Sequence, residues 1–278
     1  MTPQSPPENI IRASVNYVGR TDPPPRVYYV DPPQGEPYST VQIDTRQVEI
    51  ADVRGKEAEY SLDAQGCCFP AKTIDFTAFD DEQAIRTVAY PRIEAFAREM
   101  TGLEHIFAFD HGIRRRKHGL DSAGTPRASG TERNIADFAH NDYTPISAEL
   151  RVRWNLPDRA GELLQRRFAI FNVWWPIHGP LRDHPLALCH NAADDDFIEI
   201  ENIFERGPNP ILGLTCNAAH RWIYKSALQE NEPLMFRTWD SDRPLSATVP
   251  HVAFADPQAG EDVLPRASIE MRVLAFYP

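Results

Sequence analysis

A mainly β fold, a double-stranded β-helix (jelly roll, cupin-like) with flanking α-helices, is predicted by three observations on this sequence. Short runs rich in Val, Ile, Phe, Tyr and Trp recur along the chain, and 25 prolines against 14 glycines separate them with irregular loops. Only one stretch keeps a helical period over a long span. The 278 residues suit one large domain, with 105–278 as the jelly-roll core and 1–50 as a proline-rich N-terminal extension packed on it.

Each element follows from local pattern. Residues 1–40 include "DPPPRVYYVDPP", an extended segment expected to drape over the domain. From Asp80 to Thr101, Ile85, Ala89, Ile93, Phe96 and Met100 recur at helical steps; Asp80 and Asp81 stand where capping is favoured, Pro91 predicts a kink, and Gly102 a stop. A shorter helix is expected in "DRAGELLQR" (158–166). "HIFAFDH" (105–111), "AELRVRW" (148–154) and "RFAIFNVWW" (167–175) read as strands. "HRWIYKSAL" and "PLMFRTWDS", joined by "QENE", read as a hairpin, and "SIEMRVLAFY" as the last strand. A helix outside a set of short antiparallel strands points to the jelly roll.

Composition narrows the function. A net charge of −11 without a basic face argues against a nucleic-acid partner, and "RRRK" (114–117) reads as a solvated loop. No apolar run is long enough to span a bilayer, and "MTPQSPPENIIR" lacks a signal-peptide core, so neither membrane nor export is expected. Four cysteines without a CxxC pair read as reduced, buried or incidental thiols of a cytoplasmic protein and argue against a thiolate zinc site. Oligomeric state leaves no legible mark.

The chemistry-bearing residues occur in a definite order. His140 and Asp142, in "HNDYT", lie two apart on an extended segment and so share a side. One such His-x-acid triplet is expected by chance, so it matters only with partners. His251, in "VPHVAFADP", is the candidate third donor, and Arg266-Ala267-Ser268 follows it. Two imidazoles and a carboxylate suit Fe(II) while leaving positions open for cosubstrate and O2. An arginine and a hydroxyl two apart can hold the distal carboxylate of 2-oxoglutarate. A second Arg-x-Ser, at Arg127 and Ser129, does not follow the distal histidine.

These segments resemble a known family. "HNDYT", "FAIFNVWWPI", "PLALC", "HRWIYKSALQENEPLMFRTWDS" and "HVAFADP…RASIEMRVLAFY", with "DVRGKEAEYSLDAQGCCF" and "FAFDHGIRRR" upstream, are similar to the fungal and bacterial hydroxylase/desaturase family of secondary metabolism. The resemblance runs from about residue 50 onward. It implies a non-haem Fe(II), 2-oxoglutarate-dependent oxygenase acting on a small-molecule substrate, with His140, Asp142 and His251 as metal ligands and Arg266 and Ser268 as the oxoglutarate clamp. One departure is Trp175, where the family's "NVWRP" motif has arginine; it implies a more apolar substrate pocket.

Alternatives stay open at this stage. His220 competes with His251 as third ligand, or lines the pocket. Arg272 shares a strand face with Arg266 and competes for the clamp role or for a substrate group. Tyr143, Asn172, Trp174 and Trp175 are candidate substrate walls, against a plain core role. His111, His178, His184 and His190 read as structural or surface residues. A cupin-like metalloenzyme without oxoglutarate, and a catalytically silent jelly-roll binding protein, remain the rival classes.

Overall fold

The computed structural model describes residues 9–116, 132–133, 138–260 and 262–278. The second Arg-x-Ser, at Arg127 and Ser129, and Lys117 of the basic run lie outside the described residues. In chain order the strands are β1 (Ile10–Val18), β2 (Arg26–Tyr28), β3 (Ile43–Asp52), β4 (Cys67–Cys68), β5 (His105–Arg115), β6 (Glu132–Arg133), β7 (His140–Asn141) and β8 (Phe168–Pro176). They continue as β9 (Leu186–His190), β10 (Phe197–Phe204), β11 (Gly207–Pro208), β12 (Ile211–Leu214), β13 (Arg221–Tyr224), β14 (Leu234–Asp240), β15 (His251–Ala253) and β16 (Ala267–Phe276).

Two sheets form. The ten-stranded sheet runs β1-β3-β13-β9-β15-β7-β12-β10-β11, with β2 beside β10, and the six-stranded sheet runs β4-β14-β8-β16-β5-β6. Pairing is largely antiparallel, and the sheets pack face to face: Trp174, Leu234 and Phe236 of the smaller sheet share a cluster with Leu186, Leu188 and Ile223 of the larger. The first fifty residues do more than drape over the core. Strand β1 alternates, burying Ile11, Ala13, Val15 and Tyr17, and pairs along its whole length with β3.

The long helix appears as α1 (Glu82–Ala84), a π-helical turn (Ile85–Ala89) and α2 (Tyr90–Thr101). The Asp81 carboxylate accepts the Ala84 N–H at 3.0 Å, and Gly102 closes the helix at φ 70°. Pro91 has no N–H to give, and the wider turn lies just ahead of it. Tyr90, Ile93, Phe96 and Ala97 pack on Phe171, Val173 and Trp175 of β8 and Met271 and Val273 of β16. Odd-numbered residues of β8 therefore face the helix, and Asn172 and Trp174 face the larger sheet.

Two expected elements differ. Residues 148–154 belong to a helix, α3 (Pro145–Asn155), followed by α4 (Ala160–Leu163) within the stretch read as a short helix. Their alternation is outweighed by a start signal: the Thr144 hydroxyl caps the Ser147 N–H at 3.1 Å, and Pro145 occupies the first turn. The hairpin across "QENE" is also absent, because β13 joins the larger sheet and β14 the smaller. The crossing is pinned by Lys225, 4% exposed, whose ammonium pairs with Glu57 at 3.1 Å and with Glu232.

His190, at the end of β9, lies under the Tyr60 ring with its Nε2 3.8 Å from Cys67 Sγ. Burial pushes its pKa down to about 4. The unfolded chain protonates this imidazole as pH falls through about 6.5, while the folded chain resists until about 4. Stability therefore drops across that window, by up to about 3 kcal/mol. Melting curves of wild type and His190→Gln from pH 7 to 4 should show a shallower decline in the variant; parallel declines would refute the assignment.

Candidate metal centre

Strand pairing brings the distant histidine to the near one. His140 of β7 stands directly opposite His251 of β15, so both side chains leave the sheet on one face, with ring centroids 4.5 Å apart. On its other side His140 opposes Gly213 of β12. A Cβ at Gly213 would leave the sheet on the same face as the His140 ring and would meet Ile200 Cδ1 at 2.7 Å and Val18 Cγ2 at 3.0 Å, so the space beside the imidazole is already filled. Asp142 follows in the bend after β7. Between them Asn141 turns away, its amide donating to the carbonyls of Tyr143 and Thr238 at 3.0 and 2.9 Å.

One donor atom each from His140, Asp142 and His251 falls within 4.8 Å of the others. His140 Nδ1 lies 2.8 Å from the Phe138 carbonyl, and His251 Nδ1 lies 3.4 Å from that of Val249. A carbonyl only accepts, so each Nδ1 carries the proton and each Nε2 presents a lone pair. Burial, with His140 beside it, pushes the His251 pKa down to about 3, so its ring stays neutral.

The carboxylate is set with equal care. Asp142 Oδ2 accepts Asn172 Nδ2 at 2.7 Å and Arg272 Nε at 3.2 Å, leaving Oδ1 3.5 Å from His140 Nε2. Burial alone would raise its pKa, but the Arg272 guanidinium holds it well below the carboxylate range. Thr238 Oγ1 in turn donates to Asn172 Oδ1 at 3.3 Å. Two imidazoles and one oriented carboxylate fit a ferrous ion with open positions.

Arg272 carries more than this one contact. It donates to Asp110 Oδ2 at 2.9 Å and to Glu270, so one guanidinium serves three carboxylates. Those partners raise its pKa well above the usual value despite its burial. Its Nε, Nη1 and Nη2 are thus each engaged by a carboxylate, one of them that of Asp142.

His140 and His251 line one cavity together with Arg266, Arg114, Glu270 and Trp174. Arg266 is 2% exposed, and its Nε donates to Ser268 Oγ at 3.0 Å and its Nη1 to the His184 carbonyl at 2.9 Å. Its guanidinium lies over the Trp174 ring at 5.1 Å. Among the described residues it has no ion pair, and burial, with Arg114 nearby, pushes its pKa down to about 9. A buried cation without a counter-ion calls for an anion.

The other sequence candidates sit elsewhere or act indirectly. Asn172 supports Asp142 through its amide. Trp175 is fully buried on the helix side of β8, so its exchange for arginine changes the core and does not make the cavity more apolar. Tyr143 is 2% exposed within a cluster containing Phe109, Ala148 and Val152. His220 bonds Asp196 Oδ2 at 3.0 Å and stacks on Tyr17, in a separate network. Sequence reasoning missed Glu270, though it shares the inward row of β16 with Arg266, Ser268 and Arg272 and period two alone would have found it. It also missed Asp110 and Asp183, for which no local signal exists, and it read His184 as structural or surface.

Comparison with known proteins agrees with this geometry. Residues 15–276 match the family described as oxidoreductase/YMDC permease-like domain. The Fe(II)/2-oxoglutarate-dependent dioxygenase nvfI of Aspergillus novofumigatus is 26% identical over 258 residues, 90% of each chain. The hydroxylase/desaturase efuI of Hormonema carpetanum is 28% identical over 258 residues, 85% of each. Among solved structures, the iron and alpha-ketoglutarate-dependent endoperoxidase NvfI superposes with a TM-score of 0.84 at 24% identity, covering 96% of this chain and 98% of that one. The last likeness fixes the fold as the jelly roll.

Proposed function

The chain belongs to the oxidoreductase family whose model spans residues 15–276, among Fe(II)/2-oxoglutarate-dependent oxygenases, and from that premise we propose that it removes hydrogen from an unactivated carbon of a small secondary-metabolite or amino-acid substrate. The outcome is hydroxylation, desaturation or ring closure. One observation carries the reading: a His, Asp, His donor set opens on the same cavity as a buried arginine that, among the described residues, has no side-chain carboxylate bonded to its guanidinium.

In this reading His140, Asp142 and His251 hold the iron, and Arg266 and Ser268 hold the far carboxylate of 2-oxoglutarate. When bound, iron with 2-oxoglutarate and O2 supplies the oxidant, 2-oxoglutarate leaving as succinate and CO2. The protein's own part is placement. Asn172 and Arg272 keep Asp142 Oδ2 engaged so that Oδ1 faces the imidazoles. Ser268 accepts from Arg266 Nε and keeps a hydroxyl proton to donate. Trp174 and Leu186, 1% and 5% exposed, make the wall that keeps water from this charge pair. Which carbon reacts depends on where the substrate is held. Four unpaired cysteines suit a cytoplasmic setting, and among the described residues no helix is long and apolar enough to cross a membrane.

The test is anaerobic loading with Fe(II) and 2-oxoglutarate, then O2 and a panel of amino acids and apolar ring compounds, scored by mass spectrometry. Iron-dependent succinate release coupled to a product smaller by two hydrogens or larger by one oxygen is expected. Absence of both 2-oxoglutarate binding and succinate release would sink the reading.

A further inference from the structure

The segment 177–184, between β8 and β9, holds the clamp arginine from three directions. Asp183, 6% exposed, accepts the backbone N–H of Arg266 on Oδ2 at 2.7 Å. Its Oδ1 accepts Arg116 Nη1 at 2.9 Å and lies 2.8 Å from His184 Nδ1. His184 adopts φ 48°, a left-handed conformation uncommon for a residue with a side chain, and this turns its carbonyl onto Arg266 Nη1 at 2.9 Å. Arg116 closes the circuit, its own N–H donating to the Arg266 carbonyl at 2.8 Å.

The segment is itself pinned. Leu181 N–H donates to the Leu228 carbonyl at 2.7 Å, and a Cβ on Gly179 would meet Glu230 N at 2.5 Å, so the backbones are in close contact there. The Asp183 carboxyl stays ionised down to about pH 2: burial opposes this, and His184, the Arg266 N–H and Arg116 outweigh it. With Nε on Ser268 and Nη1 on His184, Arg266 presents Nη2, which makes no hydrogen bond among the described residues. A free arginine side chain loses much rotamer freedom on binding an anion, and one already fixed does not.

We propose that Asp183 and the left-handed His184 are positioning residues that pre-set Arg266, and that they thereby set the affinity of the cavity for 2-oxoglutarate. The inference rests on the reading of Arg266 as the clamp. It predicts that changes in this segment, outside the ligand set, weaken cosubstrate binding while iron binding stays intact.

The experiment is an anaerobic titration of the Fe(II)-loaded full chain with 2-oxoglutarate, followed by the visible charge-transfer band, with bound iron measured in parallel. Asp183→Asn should raise the 2-oxoglutarate Kd about tenfold, the scale of a lost hydrogen bond to a charged group, with iron stoichiometry unchanged. His184→Asn, which tolerates positive φ, should stay within about twofold, whereas β-branched His184→Val should weaken binding as Asp183→Asn does. In an Arg266→Lys background, Asp183→Asn should add little, because both act through one side chain. If Arg266→Lys weakens binding but Asp183→Asn and His184→Val do not, or if the two changes simply add, the positioning role is overturned and the clamp stands. If Arg266→Lys leaves the Kd unchanged, the clamp reading falls and the positioning role with it.

Discussion

His140→Ala abolishes iron-dependent turnover and takes bound iron after anaerobic reconstitution from near stoichiometric to near zero: this is the largest effect on activity that the geometry predicts. The ring supplies one of three donor atoms within 4.8 Å, and nothing among the described residues stands ready to replace it. The fold should survive, because the ring's hydrogen bond goes to the Phe138 carbonyl, and the pairing of His140 with Gly213 is made by backbone atoms that the substitution leaves in place. Circular dichroism and the melting midpoint should therefore stay close to wild type while iron is lost. His220→Ala is the matched control. That residue is bonded to Asp196 and stacked on Tyr17, and its loss should leave iron stoichiometry unchanged. Full turnover in His140→Ala, or loss of iron in His220→Ala alone, would move the centre elsewhere.

Arg272→Met carries the largest effect on stability. The substitution keeps a similar apolar stem but strips the shared guanidinium from Asp142, Glu270 and Asp110. The first two have side chains 12% and 6% exposed, so they become buried charges without a partner, and such losses cost about 3–5 kcal/mol. For a chain of this size that is a fall in Tm on the order of 10 °C. Asp142 also loses one of the two bonds on Oδ2, and outer supports of this kind are worth roughly 10–100-fold in metal affinity. Arg272→Lys should recover little, since an ammonium cannot present three divergent N–H directions to three carboxylates. Thermal denaturation with an iron titration decides the matter: wild-type Tm and iron affinity in Arg272→Met would show that the three acids are held by other means.

The parts of this site that were legible in the sequence are those whose chemistry fixes residue type and order. His140, Asp142 and His251 followed from the rule that ligands must be imidazole or carboxylate, together with the family resemblance, and the structure brings their donor atoms within 4.8 Å of one another. The helix from residue 82 onward was legible because its apolar period and both end signals agree. The stretch 148–154 was misread because alternation and helical spacing coincide over so few residues, and the deciding Thr144-Pro145 start lies before it. The roles of Asn172 and Arg272 were not legible at all. Both point inward, as period two requires, but whether an inward polar group meets a substrate or a ligand depends on the β16–β8 register, in which Arg272 stands opposite Asn172. That register is a tertiary fact. Likewise, "QENE" has the composition of a turn, and only the placement of β13 and β14 in different sheets reveals that it carries the chain from one to the other.

The two histidines stand on the larger sheet, and the residues that orient the aspartate, Asn172 and Arg272, stand on the smaller. The centre is thus riveted through both walls of the sandwich. A slip of one sheet against the other, by even one residue of register, would therefore part the aspartate from its two supports and dismantle the centre without touching a single ligand.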